Sequence, residues 1–249
     1  MSPALVALLI AAAAPPGPAA DLEAAYSQEY LTNGYAPWRS VELLGGLHLS
    51  DRSVVGASVR YLERFDLSDV DLGASLSFPL GERVVLAAEG TTSPTHQFMP
   101  WGSADVQAQT NVGAGFVISP GVRWSRYVTA SADGTPIILR LGVEYYWAAF
   151  RASWTGFLTE ISGSWCASQR VTLDYYYGER NRVGAAFNIG RELDTVANGV
   201  LVITDVVGAA LAGLQDLDPD WSLVWEVGIE RQGDFYTRMG ARLGVRRRF

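Results

Sequence analysis

Residues 235–249 read FYTRMGARLGVRRRF. Met239, Ala241, Leu243 and Val245 share one parity; Tyr236, Arg238, Arg242, Arg246 and Arg248 share the other. Side chains of a strand alternate between its two faces, so this stretch sets small and apolar groups against a row of guanidinium groups. The core of an ordinary sandwich has no place for the second face. A barrel wall does, with hydrocarbon outside and a polar lumen inside.

The end of the chain adds to this. Gly244 and the terminal Phe249 fit the C-terminal signal by which outer-membrane barrels are recognised for assembly. Arg247 departs from that pattern, standing where an aromatic is usual; near a rim its long stem lets the charge reach back to water.

Composition agrees with a barrel. The chain has 249 residues, enough for one barrel or one large domain, and 49% are hydrophobic while 18% are charged. A mean hydropathy of +0.10 lies between soluble domains and helical membrane proteins, as expected when every second strand residue meets lipid. The net charge of −7 speaks against nucleic-acid binding. All nineteen basic residues are Arg. The single cysteine, Cys166, excludes a disulfide framework and reads as a small, partly buried wall residue.

At the N-terminus, Ala4 to Ala14 form an apolar segment too short to span a bilayer, followed by Pro15, Pro16, Gly17, Pro18, Ala19 and Ala20. This reads as a secretory signal peptide over residues 1–20, cleaved after Ala19 or Ala20. Residues 21–249 then form a single outer-membrane domain.

Within that domain, alternating segments of roughly ten residues recur between turn residues. Val41, Leu43, Leu47 and Leu49 oppose Ser40, Glu42 and His48. Val70, Leu72, Leu76 and Phe78 oppose Asp69, Asp71, Ser75 and Ser77. Ile137, Leu139, Leu141 and Val143 oppose Arg140 and Glu144. Val183, Phe187 and Ile189 oppose Arg182, Asn188 and Glu192; Trp221, Leu223, Trp225, Val227 and Ile229 oppose Ser222, Glu226 and Glu230. Short turns are expected at Pro79-Leu80-Gly81 and Ser119-Pro120-Gly121, and longer links at Thr92 to Ser103 and Leu193 to Asn198. With a short first strand near Tyr26 to Asn33, the count is about fourteen strands, with twelve as the alternative. Ala209 to Leu217 reads either as strand or as a short helix or plug. Trp38, Trp101, Trp124, Tyr145, Trp147, Trp154, Trp221 and Trp225 are expected in two interfacial girdles.

Residues 175–192 read YYYGERNRVGAAFNIGRE, the opening segment YSQEYLTNGYAPW and the close YTRMGARLGVRRRF. With the Gly190-Arg191-Glu192 turn and the terminal strand as its more specific parts, the chain resembles the YaiO family of outer-membrane barrels from about Tyr26 to Phe249. The resemblance implies a surface-exposed barrel without an assigned reaction. Some relatives occur beside polysaccharide-related machinery, so it also implies, by analogy, a role in envelope polysaccharide handling.

The functional candidates are lumen charges: Glu226, Glu230, Arg238, Arg242, Arg246, Arg140, Glu144, Arg182 and Glu192. In a hairpin turning near Gly233, Glu226 and Glu230 lie within reach of Arg238, Arg242 and Arg246, so cross-strand ion pairs are expected. Such pairs read first as a ladder that stiffens the lumen, and second as a polar track for a solute or glycan. Chemistry finds less support. His48 has lumen parity and His96 lies in a long link; Ser58 on the next strand is a conceivable partner for His48, but the Gly-x-Ser-x-Gly pattern is absent. Asp66, Asp69 and Asp71, with Asp216, Asp218 and Asp220, read as solvated turn groups without the pattern of a calcium loop. No catalytic residue, cofactor or metal is assigned.

The reading is therefore an all-β, antiparallel up-and-down transmembrane barrel of a Gram-negative outer membrane, non-catalytic and of the YaiO type. Its expected partners are outer-membrane lipids and lipopolysaccharide, the barrel-assembly machinery and polysaccharide-related proteins, with no nucleic acid. A narrow solute channel and an outer-membrane lipid hydrolase are the alternatives.

Overall fold

The computed structural model describes residues 20–50, 52–129, 133–196 and 200–249. The expected signal peptide lies outside them apart from Ala20, which already belongs to the first strand. In chain order the strands are β1 Ala20–Leu31, β2 Trp38–Ser50, β3 Ser53–Arg64, β4 Leu67–Leu80, β5 Val84–Thr92, β6 Gly102–Gly113 and β7 Phe116–Val128. A two-residue strand β8, Asp133–Gly134, precedes β9 Ile137–Trp147, β10 Phe150–Ile161, β11 Ser164–Tyr177 and β12 Asn181–Val196. The last are β13 Val200–Asp216, β14 Trp221–Gln232 and β15 Tyr236–Arg248.

Each long strand pairs antiparallel with its neighbours in sequence, β7 pairing directly with β9, and β1 pairs with β15 to close the ring. Fourteen strands form the cylinder, and β8 only augments β7 within a link. At a strand spacing of about 4.8 Å and a tilt near 40°, the backbone ring is roughly 28 Å across. Closure leaves no strand edge without a partner, which a hydrocarbon surrounding requires.

The period-two pattern sets the faces. Met239, Leu243 and Val245 are exposed on the outer wall, with Val41, Leu43, Leu139, Leu141, Phe187 and Ile229 on other strands. The opposite parity points inward. Six rings form a continuous outward band, Phe116–Tyr145–Trp147–Phe150–Tyr175–Tyr177, with centroids 4.5 to 5.8 Å apart. All six lie near the end of the barrel that carries both termini. Arg247 joins that rim: its guanidinium lies 5.3 Å from the Trp221 ring and 4.7 Å from that of Phe249. The missing aromatic is thus replaced by a cation held against two aromatics.

At the terminus end the described links are short, such as Ala114-Gly115 and Ala148-Ala149. At the far end stand the longer ones, residues 32–37, 93–101 and the link between β7 and β9. The two-residue turns Phe65-Asp66, Ala114-Gly115 and Ser162-Gly163 have positive φ at both central residues, the backbone that matches the twist of flanking strands.

Several local expectations change. Ser119-Pro120-Gly121 is not a turn but lies inside β7, where Gly121 leaves room for the Arg140 side chain. The turn after Pro79 comes later, at residues 81–83. Gly190-Arg191-Glu192 continues β12; the turn of that hairpin is at residues 178–180. Gly190 has φ +143°, and a Cβ there would strike the backbone of Ser168, so the strands approach closely and only glycine fits. Ala209 to Asp216 is strand, and β1 begins six residues before the expected Tyr26. Leu193 belongs to β12, which runs on to Val196; residues 197–199 lie outside the described ones.

Candidate functional site in the barrel lumen

Charges inside a cylinder are costly unless paired, and the lumen wall pairs most of its charges. On β15 a four-residue spacing puts Arg238, Arg242 and Arg246 on one side of the strand. Arg242 Nη2 donates to Glu23 Oε1 at 2.5 Å and to Glu42 Oε2 at 3.1 Å. Arg246 donates to the other Glu23 oxygen through Nη2 at 2.7 Å and Nε at 3.0 Å. Glu23 is 3% exposed and holds two guanidinium groups by itself. Arg238 donates to Glu230 Oε1 at 2.7 Å and to Glu29 Oε2 at 2.9 Å, while Asn188 donates to the second Glu230 oxygen at 3.0 Å. The belt thus ties β15 to β1, β2, β12 and β14.

The opposite wall repeats the device. Arg140 pairs with Asp105 at 2.5 Å, Arg151 with Asp174 at 2.6 Å and Glu144 at 3.4 Å, and Arg182 with Asp174 at 3.8 Å. Arg60 pairs with Asp71. At the terminus end, Arg248 pairs with Asp216 at 2.5 Å and His48 with Asp21 at 2.8 Å. Gly46 makes room for that Asp21 carboxylate; a Cβ there would stand 2.9 Å from Oδ2.

The nine lumen candidates are therefore spread around the ring rather than gathered at one point. Glu230 and Arg238 meet across their hairpin. Glu226 faces Arg242 in register, yet Arg242 turns to Glu23 and Glu42, and Glu226 makes no ion pair with a described residue. Glu192 makes none either among the described residues. Ser58 and His48 are not brought together: Ser58 stands opposite Leu44 and His48 opposite Val54, about 13 Å apart along the strands. His96 turns its Nδ1 to the carbonyls of Ser93 and Pro94.

Three acidic groups expected in solvated turns lie elsewhere, and one of them, Asp216, ends β13 as the partner of Arg248. Asp69 and Asp71 are 0% exposed on the inner face of β4. Asp69 accepts N–H from Gln97 at 2.8 Å on one oxygen, and from Phe98 and Met99 at 2.8 and 2.7 Å on the other. It folds the 93–101 link back into the barrel. Three consecutive backbone donors on one carboxylate repay its burial.

That loop folds into the far end of the lumen. Phe98 is 2% exposed, Trp38 3% and Tyr236 3%. The Arg64 guanidinium lies 4.3 Å from the Trp38 ring and 5.6 Å from that of Phe98; the Arg238 guanidinium lies 5.3 Å from Trp38. Phe65 meets Trp38 edge-on at 5.2 Å, and Tyr35 and Phe65 both meet Tyr236 at 5.9 Å. Tyr236 donates its hydroxyl to Asp194 at 3.1 Å. Tyr127 of β7 feels the charges of both Arg64 and Asp194. Trp38 consequently leaves the expected girdle, since its parity is that of Ser40 and Glu42, toward the lumen. Sequence reading missed this stopper because Phe98 sits in a link, where parity says nothing.

Among the described residues no group of three or more His, Cys, Asp or Glu is placed to hold a metal ion. Cys166 is buried on the lumen side rather than partly buried in the wall.

A closed ring, lipid-compatible outside and ion-paired within, defines a bacterial outer-membrane β-barrel. The YaiO membrane beta barrel domain matches residues 20–194, and the chain belongs to this family. No curated protein sequence matches it. Solved structures share the fold at low identity. The CymD monoaromatic hydrocarbon channel has a TM-score of 0.65 at 8% identity, over 94% of this chain and 89% of that one. Omp33 of Acinetobacter baumannii scores 0.53 at 12%, over 92% and 98%. The KdgM porin scores 0.52 at 12%, over 91% and 99%. With short turns on the periplasmic side, the far end is the outer mouth.

Proposed function

We propose that this barrel is non-catalytic and supports the handling or export of envelope polysaccharide. The observation that carries the reading is the lumen wall, where arginine–carboxylate pairs alternate with hydroxyl and amide groups such as Ser103, Gln107, Ser119 and Thr159. Such a surface suits a hydroxyl-rich chain and, among the described residues, offers no positioned nucleophile and base. Its partners in this proposal are outer-membrane lipids and lipopolysaccharide around the wall, the barrel-assembly machinery that inserts it, and proteins of polysaccharide synthesis.

Deletion of the gene in its host tests this. The expected result is less surface polysaccharide, restored by the wild-type chain and equally by His48→Ala, with lipid A and phospholipid profiles unchanged. Altered lipid profiles that His48→Ala fails to restore would favour the hydrolase. A solute channel is the second reading, favoured by Glu226, a lumen carboxylate without an ion-pair partner among the described residues; lost uptake of small solutes with normal surface polysaccharide would select it.

A further inference from the structure

We propose that the barrel is a gated conduit, and that residues 93–101 are its retractable stopper, latched by Asp69. This does not depend on the polysaccharide reading.

The stopper is built differently from the wall it closes. Its tip, Phe98, is buried with the Arg64 guanidinium of β3 5.6 Å from its ring, and no strand ladder runs through it. Only its ends follow sheet-like bonds, Ser93 N–H to the Trp101 carbonyl at 3.1 Å and the Thr92 hydroxyl to the same carbonyl at 2.8 Å. Everything between hangs on the Asp69 side chain and two backbone groups of β4, and on the loop itself. Asp69 takes three backbone N–H groups, the Gln97 amide donates to the Ser68 carbonyl at 2.8 Å, and Val70 N–H donates to the Thr95 hydroxyl at 2.9 Å. His96 is held at φ +36°, a conformation that L residues adopt at a cost and that release would relieve.

Beneath this tip the lumen changes character from aromatic to charged. A ring roughly 28 Å across is too wide for one layer of inward side chains to fill, so the polar belt faces space that water or a solute occupies. Rings packed under a guanidinium above a wet, charged lumen shut a pore by occupying its mouth. The Asp69 carboxylate takes three of the five bonds between the loop and β4, so its loss loosens the tip without touching the ring of strands.

The test uses the full mature chain refolded in lipid. Folded barrels are first identified by heat-modifiable migration on gels. Conductance is then read in planar bilayers in potassium chloride, and sucrose entry in liposome swelling. The wild type is expected to be electrically silent and impermeable to sucrose. Asp69→Ala and Phe98→Ala are each expected to give steady conductance steps and measurable swelling. Phe98→Ala leaves every wall residue intact and decides the matter if Asp69→Ala does not fold. Folded variants as silent as the wild type would overturn the proposal, as would a wild type that already conducts like the variants. Loss of surface polysaccharide in the deletion host bears on the preceding reading alone.

Discussion

The mouth of this barrel and the belt below it solve the same problem by opposite means. Both must line the inside of a cylinder whose exterior is already committed to lipid. The belt does so with charge: Glu23, Glu42, Glu29 and Glu230 take up Arg238, Arg242 and Arg246, each bond crossing between strands. The mouth does so with rings, Trp38, Phe65, Phe98 and Tyr236, capped by the Arg64 guanidinium. Belt partners all stand on strands, whereas the mouth adds Phe65 from a turn and Phe98 from a loop to groups at the strand ends. The difference teaches that stiffness and closure are assigned to separate layers, so that one can change without the other.

Glu23→Ala should break the comparison most severely on the side of the belt. It leaves Arg246 without its carboxylate and Arg242 with Glu42 alone, and removing one partner of a buried pair costs about 3–5 kcal/mol. Urea unfolding in lipid vesicles, followed by tryptophan fluorescence, should show this loss while folded protein stays electrically silent. Trp38→Ala attacks the other layer. A Trp→Ala truncation of a buried ring costs about 3 kcal/mol at the lower end of its range, because loop neighbours relax into the space. The same unfolding measurement should show a smaller shift than Glu23→Ala, now accompanied by conductance. Tyr236→Phe is gentler. It keeps the ring packing and removes only the hydroxyl bond to Asp194, so about 1 kcal/mol is expected, with the mouth still shut.

How far the sequence carried this architecture depends on parity. On β15 the alternation of Met239, Leu243 and Val245 with the arginines fixes both faces, since a one-residue slip would turn guanidinium groups into hydrocarbon. The same rule, applied to Trp38 beside Ser40 and Glu42, places that ring inside; expecting it in a girdle gave residue type precedence over position. Asp69 shares its parity with Asp71, which points to the lumen, but nothing local says that its partners are backbone groups some thirty residues on. Ser119-Pro120-Gly121 has the composition of a turn, yet Gly121 serves to admit the Arg140 side chain, a tertiary cause without local signature. Phe98 was beyond reach because loops carry no period.

Glu226→Gln gives the smallest effect and tests what register alone can say. In the ladder Glu226 stands opposite Arg242, and on that basis the two should pair. Arg242 instead reaches across β1 to Glu23 and Glu42, whose carboxylates are nearly buried and gain more from a guanidinium than a half-buried one does. Neutralising Glu226 therefore breaks no ion pair with a described residue, and a change below about 0.5 kcal/mol is expected. Glu230→Gln, one turn of the pattern away, removes the 2.7 Å partner of Arg238 and should shift the urea midpoint clearly further, although Glu29 remains. If the two variants proved equally damaging, Glu226 and Arg242 would be partners in the membrane after all. The belt would then be the simple hairpin ladder that register suggests, rather than a network centred on Glu23.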